Sequence, residues 1–105
     1  MRTIRMLDEA RDEFDAILDY VHDRHGVRTE EKVYNDILQR IAPLSSMSEL
    51  GTLDTDLHYQ GKPVRILHSK HTRIIYAVRE SEIVIVMFWN NHRDDSVLKY
   101  LLSKR

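Results

Sequence analysis

The part of this sequence best equipped for chemistry is Asn90-Asn91-His92-Arg93-Asp94-Asp95, a polar cluster that follows abruptly on an apolar run beginning at Ile83. His92 is the candidate for proton transfer, because an unperturbed imidazole titrates near neutrality. Arg93 stands beside two carboxylates that can pair with it or cap a following helix. Two further histidines, His68 and His71, flank a break between strands. They lack a third ligand at suitable spacing, so no metal site is expected. With no cysteine in the chain, neither a thiolate zinc site nor a disulfide framework is available. No cofactor is implied. His22, His25 and His58 fall in helical or loop positions suited to solvation. Phe88 and Trp89, at the end of the apolar run, can serve as core or as a base-stacking platform, and their context favours core, as it does for Tyr76.

Charge adds a second signal. The net charge of −1 conceals seven bases against thirteen acids in residues 1–56, a balance of −6, and nine bases against four acids in residues 57–105, a balance of +5. Such a separation suits an acidic partner, nucleic acid or peptide, at the C-terminal half. The other reading is of ordinary solvated helix faces and lysines that protect sheet edges.

The elements that must position these residues follow from periodicity. Pro63 to His68, Thr72 to Arg79 and Ile83 to Asn90 are β-forming runs. The breaks between them, Ser69-Lys70-His71 and Glu80-Ser81-Glu82, are short enough for antiparallel hairpins. In the middle run Thr72, Ile74, Tyr76 and Val78 share one face. On this phasing Arg65 and Arg73 can share the face away from Tyr76. Arg2 to Met6 reads as a short strand. A first helix opens at Leu7-Asp8-Glu9, carries Ala10, Phe14, Ile17, Leu18 and Val21 on one stripe, and stops at Gly26. Thr29 is the expected N-cap of a second helix bearing Val33, Tyr34, Ile37, Leu38 and Ile41, which ends near Pro43. Ser45 to Gly61 reads as an irregular loop. Asp94 or Asp95 caps a last short helix with Val97, Leu98, Leu101 and Leu102 inward.

The order β-α-α-β-β-β-α predicts an α+β fold, one domain over residues 1–105. A helical hairpin packs on one face of a small, mostly antiparallel four-stranded sheet. The opposite face is expected to be bare and cationic. The sequence lacks a secretory signal or a run able to cross a bilayer, so a cytoplasmic protein without a membrane partner is expected.

This order, with Thr72-Arg73-Ile74-Ile75-Tyr76-Ala77-Val78, the run from Glu82 to Trp89, and the terminal Asn90 to Asp95 cluster, resembles the RelE/ParE superfamily of bacterial type II toxins, which includes plasmid stabilisation proteins. The resemblance spans nearly the whole chain. It implies a toxin neutralised by a cognate antitoxin that wraps it. RelE-like members cleave messenger RNA on the ribosome, whereas ParE-like members inhibit DNA gyrase without catalysis.

By the RelE-like resemblance, Arg73 contacts the scissile phosphate, Arg93 matches the arginine after the last strand, and Arg65 supplies a preceding basic group. His92 then moves the proton, with Tyr100 as a weaker candidate for base stacking or hydroxyl activation. The product is a metal-independent endoribonuclease acting as an mRNA interferase. By the ParE-like resemblance, Arg93 is held by Asp94 or Asp95 and no catalytic group is needed. The slight net acidity departs from ribosome-dependent nucleases, whose binding leans on cationic contacts.

Overall fold

In the computed structural model, which describes residues 1–70 and 72–105, a short strand β1 (Thr3–Met6) leads into two helices, α1 (Asp8–His25) and α2 (Val27–Ile41). A 3₁₀ turn, Ala42–Ser45, is followed by β2 (Thr52–Tyr59), β3 (Lys62–His68), β4 (Thr72–Val78), β5 (Glu82–Asn90) and α3 (Asp95–Leu102). The sheet runs β1-β5-β4-β3-β2. Its pairings are antiparallel except β1 with β5, which is parallel. The mixed α+β architecture predicted from the sequence is present, with one strand more than expected.

That extra strand is β2, which falls inside the segment expected to be a loop. Its alternation is hidden by a break in register between Asp54 and His58. There the Asp54 carboxylate accepts from the backbone N–H groups of Asp56 (2.9 Å) and Leu57 (3.2 Å). Leu53 pairs with Arg65 ahead of the break, while Leu57 and Tyr59 beyond it enter the core on the opposite face. A bulge thus shifts the side-chain parity that a periodicity argument depends on. The strand returns to β3 through Gln60 and Gly61, both at positive φ (51° and 79°), as a tight two-residue hairpin loop requires.

The helical hairpin is tighter than expected. Gly26, at φ 87°, is the C-cap of α1 and the N-cap of α2, so a single residue joins them and Thr29 lies inside the first turn of α2. The helices bring Ala10, Phe14, Ile37 and Ile41 against Ile74, Tyr76, Ile85 and Phe88. Phe14 stacks between Phe88 (centroids 5.2 Å) and Tyr34 (5.8 Å).

The second face of the sheet is not bare. Ile75, Val84, Val86, Met87 and Trp89 are covered there by Leu98 and Leu102 of α3, and Leu57 and Tyr59 of β2 extend the same core. Two layers of apolar side chains on one sheet demand two covers, and α3 is the second. Among the described residues no helix is long and apolar enough to cross a membrane.

Candidate functional site around Trp89

The end of β5 and the start of α3 set the site. Thr72 and Trp89 are locked by a hydrogen bond from the Thr72 hydroxyl to the Trp89 carbonyl (2.9 Å), and Trp89 stands directly across from Arg73. The chain then turns. The Asn90 side chain accepts from the His92 N–H (2.8 Å), and its carbonyl accepts from the Arg93 N–H (3.0 Å). Asp94 is the N-cap of α3, accepting from the Ser96 N–H at 2.9 Å. Of the two aspartates offered by the sequence, it is Asp94 that caps.

Asp95 does something else. Its carboxylate takes the Arg73 guanidinium end-on, Nη2 to Oδ1 at 2.5 Å and Nη1 to Oδ2 at 3.3 Å. The Arg73 side chain is 16% exposed and that of Asp95 66%. The hydrogen bond from Arg73 holds the Asp95 carboxyl below the usual carboxylate range. Partial desolvation opposes this, while the Arg73 charge and the Trp89 indole N–H reinforce it. The indole nitrogen is fully buried and, among the described residues, has no hydrogen-bond partner. Its influence on Asp95 therefore reflects proximity rather than a formed bond.

Arg93, expected to pair with a neighbouring carboxylate, instead lays its guanidinium over the Trp89 ring, 4.3 Å from the centroid. His92 is exposed on the turn. Arg73 and Arg93 thus flank Trp89 at one end of the sheet, with His92 beside them in the chain.

Arg65 is elsewhere. The β3–β4 register sets Arg65 opposite Tyr76 and His68 opposite Arg73. Odd residues pair with even ones, so the two odd-numbered arginines emerge on opposite faces, and the expectation that they share one is overturned. Arg65 lies on the helical-hairpin side, where Nη1 donates to the carbonyls of Gly51 (2.8 Å) and Glu49 (3.4 Å). The adjoining Tyr76 hydroxyl donates to the Ser48 carbonyl (2.7 Å) and accepts from the Gly51 N–H (2.8 Å). Burial pushes that phenol up. Any side chain at residue 51 would place its Cβ 2.6 Å from the Tyr76 ring, so glycine is required. Arg65 and Tyr76 together strap the 48–51 segment across the sheet.

The His68–His71 pair considered as ligands cannot be followed, because His71 lies outside the described residues. Among the described residues no three His, Cys, Asp or Glu side chains gather as a metal would need. Sequence reasoning missed Asp95 as the partner of Arg73 and Trp89 as the platform of Arg93. Twenty-two residues separate the first pair, and no local signal links them.

Comparison with family models identifies one family. A model of the ParE toxin of the type II toxin-antitoxin system parDE matches residues 4–95. Among solved structures, a chain of the chromosomal ParDE toxin-antitoxin system of P. aeruginosa superposes with a TM-score of 0.69 and 23% identity, over 86% of this chain and 96% of that one. A copper-bound mutant toxin from Helicobacter pylori superposes with a TM-score of 0.53 and 16% identity, over 87% and 96%. At these identities the superpositions establish a shared fold. Comparison with curated protein sequences found no match.

Proposed function

The chain belongs to the ParE toxin family of type II toxin-antitoxin systems, and on that premise we propose that it acts by binding a protein target, DNA gyrase, rather than by cleaving messenger RNA. Its partner at rest is a cognate antitoxin. The observation that carries the reading is that the four groups RNA cleavage would need do not converge on one open site: Arg65 is parted from the rest, and Arg73 is already engaged. Arg65 is on the helical-hairpin side of the sheet, tied to backbone carbonyls. Arg73 is on the α3 side with its fork filled by Asp95. Arg93 lies flat on Trp89, and His92 is on the exposed turn.

Cleavage by 2′-hydroxyl attack needs donors aimed at the phosphorane oxygens, about 2.7–3.1 Å away, and an acid–base group within reach. The thickness of the sheet stands between Arg65 and both Arg73 and Arg93. The slight net acidity of the chain further disfavours binding to a polyanion as large as the ribosome. A target-binding mechanism needs none of this convergence.

Two assays on the purified protein separate the readings. Gyrase-catalysed supercoiling of relaxed plasmid is expected to be lost at micromolar protein while a cell-free extract continues to translate. Unchanged supercoiling would remove gyrase as the target, and translation arrest that Arg73→Ala relieves would return the protein to the nuclease branch.

A further inference from the structure

Arg73 is an anion-accepting fork whose occupant is the chain's own Asp95, and Arg93 lies close by, stacked on the buried Trp89 across from Arg73. The distribution of exposure is that of a ligand in a site. The guanidinium is sunk against the sheet and the carboxylate sits on the outside, 16% against 66% exposed. Helix α3 does not depend on Asp95 for its cap, since Asp94 makes that bond. Among the described residues the Trp89 indole N–H is a buried donor lacking an acceptor of good geometry, beside the same carboxylate. Buried donors of this kind call for an explanation, and a carboxylate seated slightly deeper would satisfy it. Arg93, stacked on the Trp89 ring, adds a second positive charge. On α3 itself, Val97 and Tyr100 are 40% and 61% exposed, an apolar flank suited to a polypeptide.

We propose that Asp95 is an internal stand-in for an acidic side chain of a protein partner, which displaces it from the Arg73 fork on binding. This rests on the reading of the protein as one that works by binding another protein. A carboxylate is favoured over a phosphate diester for two reasons. The fork is already matched to a planar carboxylate held end-on by both terminal nitrogens. Nucleic acid is bound through many phosphate contacts at once, and here two guanidinium groups stand at the site. Displacement exchanges one ion pair for another. The chain's own carboxylate therefore sets a threshold that only a well-placed acidic residue passes.

Trp89 is the sole tryptophan, so its emission reports on the site directly. The probe is a tetra-aspartate peptide, blocked at both ends, titrated at low ionic strength. Asp95→Asn keeps the shape of the side chain and removes the competing charge. It is expected to tighten peptide binding about fivefold, in line with the modest worth of an exposed ion pair, and Arg73→Gln in that background is expected to abolish the gain. Asp95→Ala serves as a second test of the same effect, with cooperative thermal unfolding confirming that each variant is folded. An unchanged affinity in both folded variants overturns the proposal, as does a gain that survives Arg73→Gln. Tighter binding of inorganic phosphate than of the peptide overturns the choice of ligand. Because the readout is peptide binding, a failure to inhibit gyrase would remove the target named above and leave this result standing.

Discussion

Arg105 with Glu13 and Arg73 with Asp95 are the same chemical pair in two settings. Near Val86 and Met87, strand β5 is bulged, and both side chains turn to the α3 side. Strand β1 has already left β5 there; its last contact is the Leu7 N–H donated to the Ile85 carbonyl. The next backbone groups of β5 would have no strand beside them. Glu13 of α1 accepts from the Phe88 N–H (3.1 Å), and Arg105 donates to the Val86 carbonyl (2.6 Å). The two side chains pair with each other at 2.6 Å and 3.0 Å, with only 11% and 27% exposure. They stand in for the missing strand.

Among the described residues Arg73 and Asp95 make no such backbone bonds through their charged groups, and the acid is mostly in water. The difference teaches that an ion pair's role is set by what else its atoms must satisfy. A pair that completes a β ladder is structural, because breaking it strands buried backbone groups. A pair whose acid faces solvent can exchange partners.

The contrast can be broken or sharpened in order of expected effect. Arg105→Ala leaves Glu13 and the Val86 carbonyl without their partner and is expected to cost about 2–3 kcal/mol in chemical denaturation. An unmoved midpoint would erase the distinction between the two pairs. Glu13→Gln retains an oxygen for the Phe88 N–H but loses the charge that Arg105 needs, so about 1–2 kcal/mol is expected by the same measurement.

Asp95→Asn should have the smallest effect, and one confined to a pH window. The folded carboxyl is held below its unfolded value, so its contribution is complete above the ordinary Asp range, about pH 4, and disappears as pH falls through the lower folded value. Unfolding midpoints of the variant and the parent should therefore differ at neutral pH and converge in acid. Glu82, lowered chiefly by its hydrogen bond from Arg5, titrates in the same direction. The difference between the two proteins isolates Asp95 from it. Midpoints that stay equally far apart at all pH values would count against an electrostatic role for the Arg73–Asp95 pair.

Local pattern made much of this molecule legible. The runs at 63–68, 72–79 and 83–90 became β3, β4 and β5 almost to the residue, because two-residue alternation and short breaks are written in adjacent positions. The stop at Gly26 and the aspartate cap of α3 were readable for the same reason. So was the family, through the order of its elements. Apart from the N-cap of α2, which is Gly26 and not Thr29, what failed was a property of register or of long-range pairing. The bulge in β2 broke the alternation that would have revealed a strand, and α3 covered a face expected to be open.

The sequence by itself determined the helices and the strands β1, β3, β4 and β5, the opposed charge of the two halves, and the family they make together. Only the tertiary structure decided which arginine meets which acid. Arg65 and Arg73 were parted by a register that pairs odd residues with even ones, and Arg73 and Arg105 found carboxylates 22 and 92 residues away. Short-range sterics and periodicity fix local conformation, but the choice of partner for a long, flexible guanidinium belongs to whatever the finished packing brings within its reach.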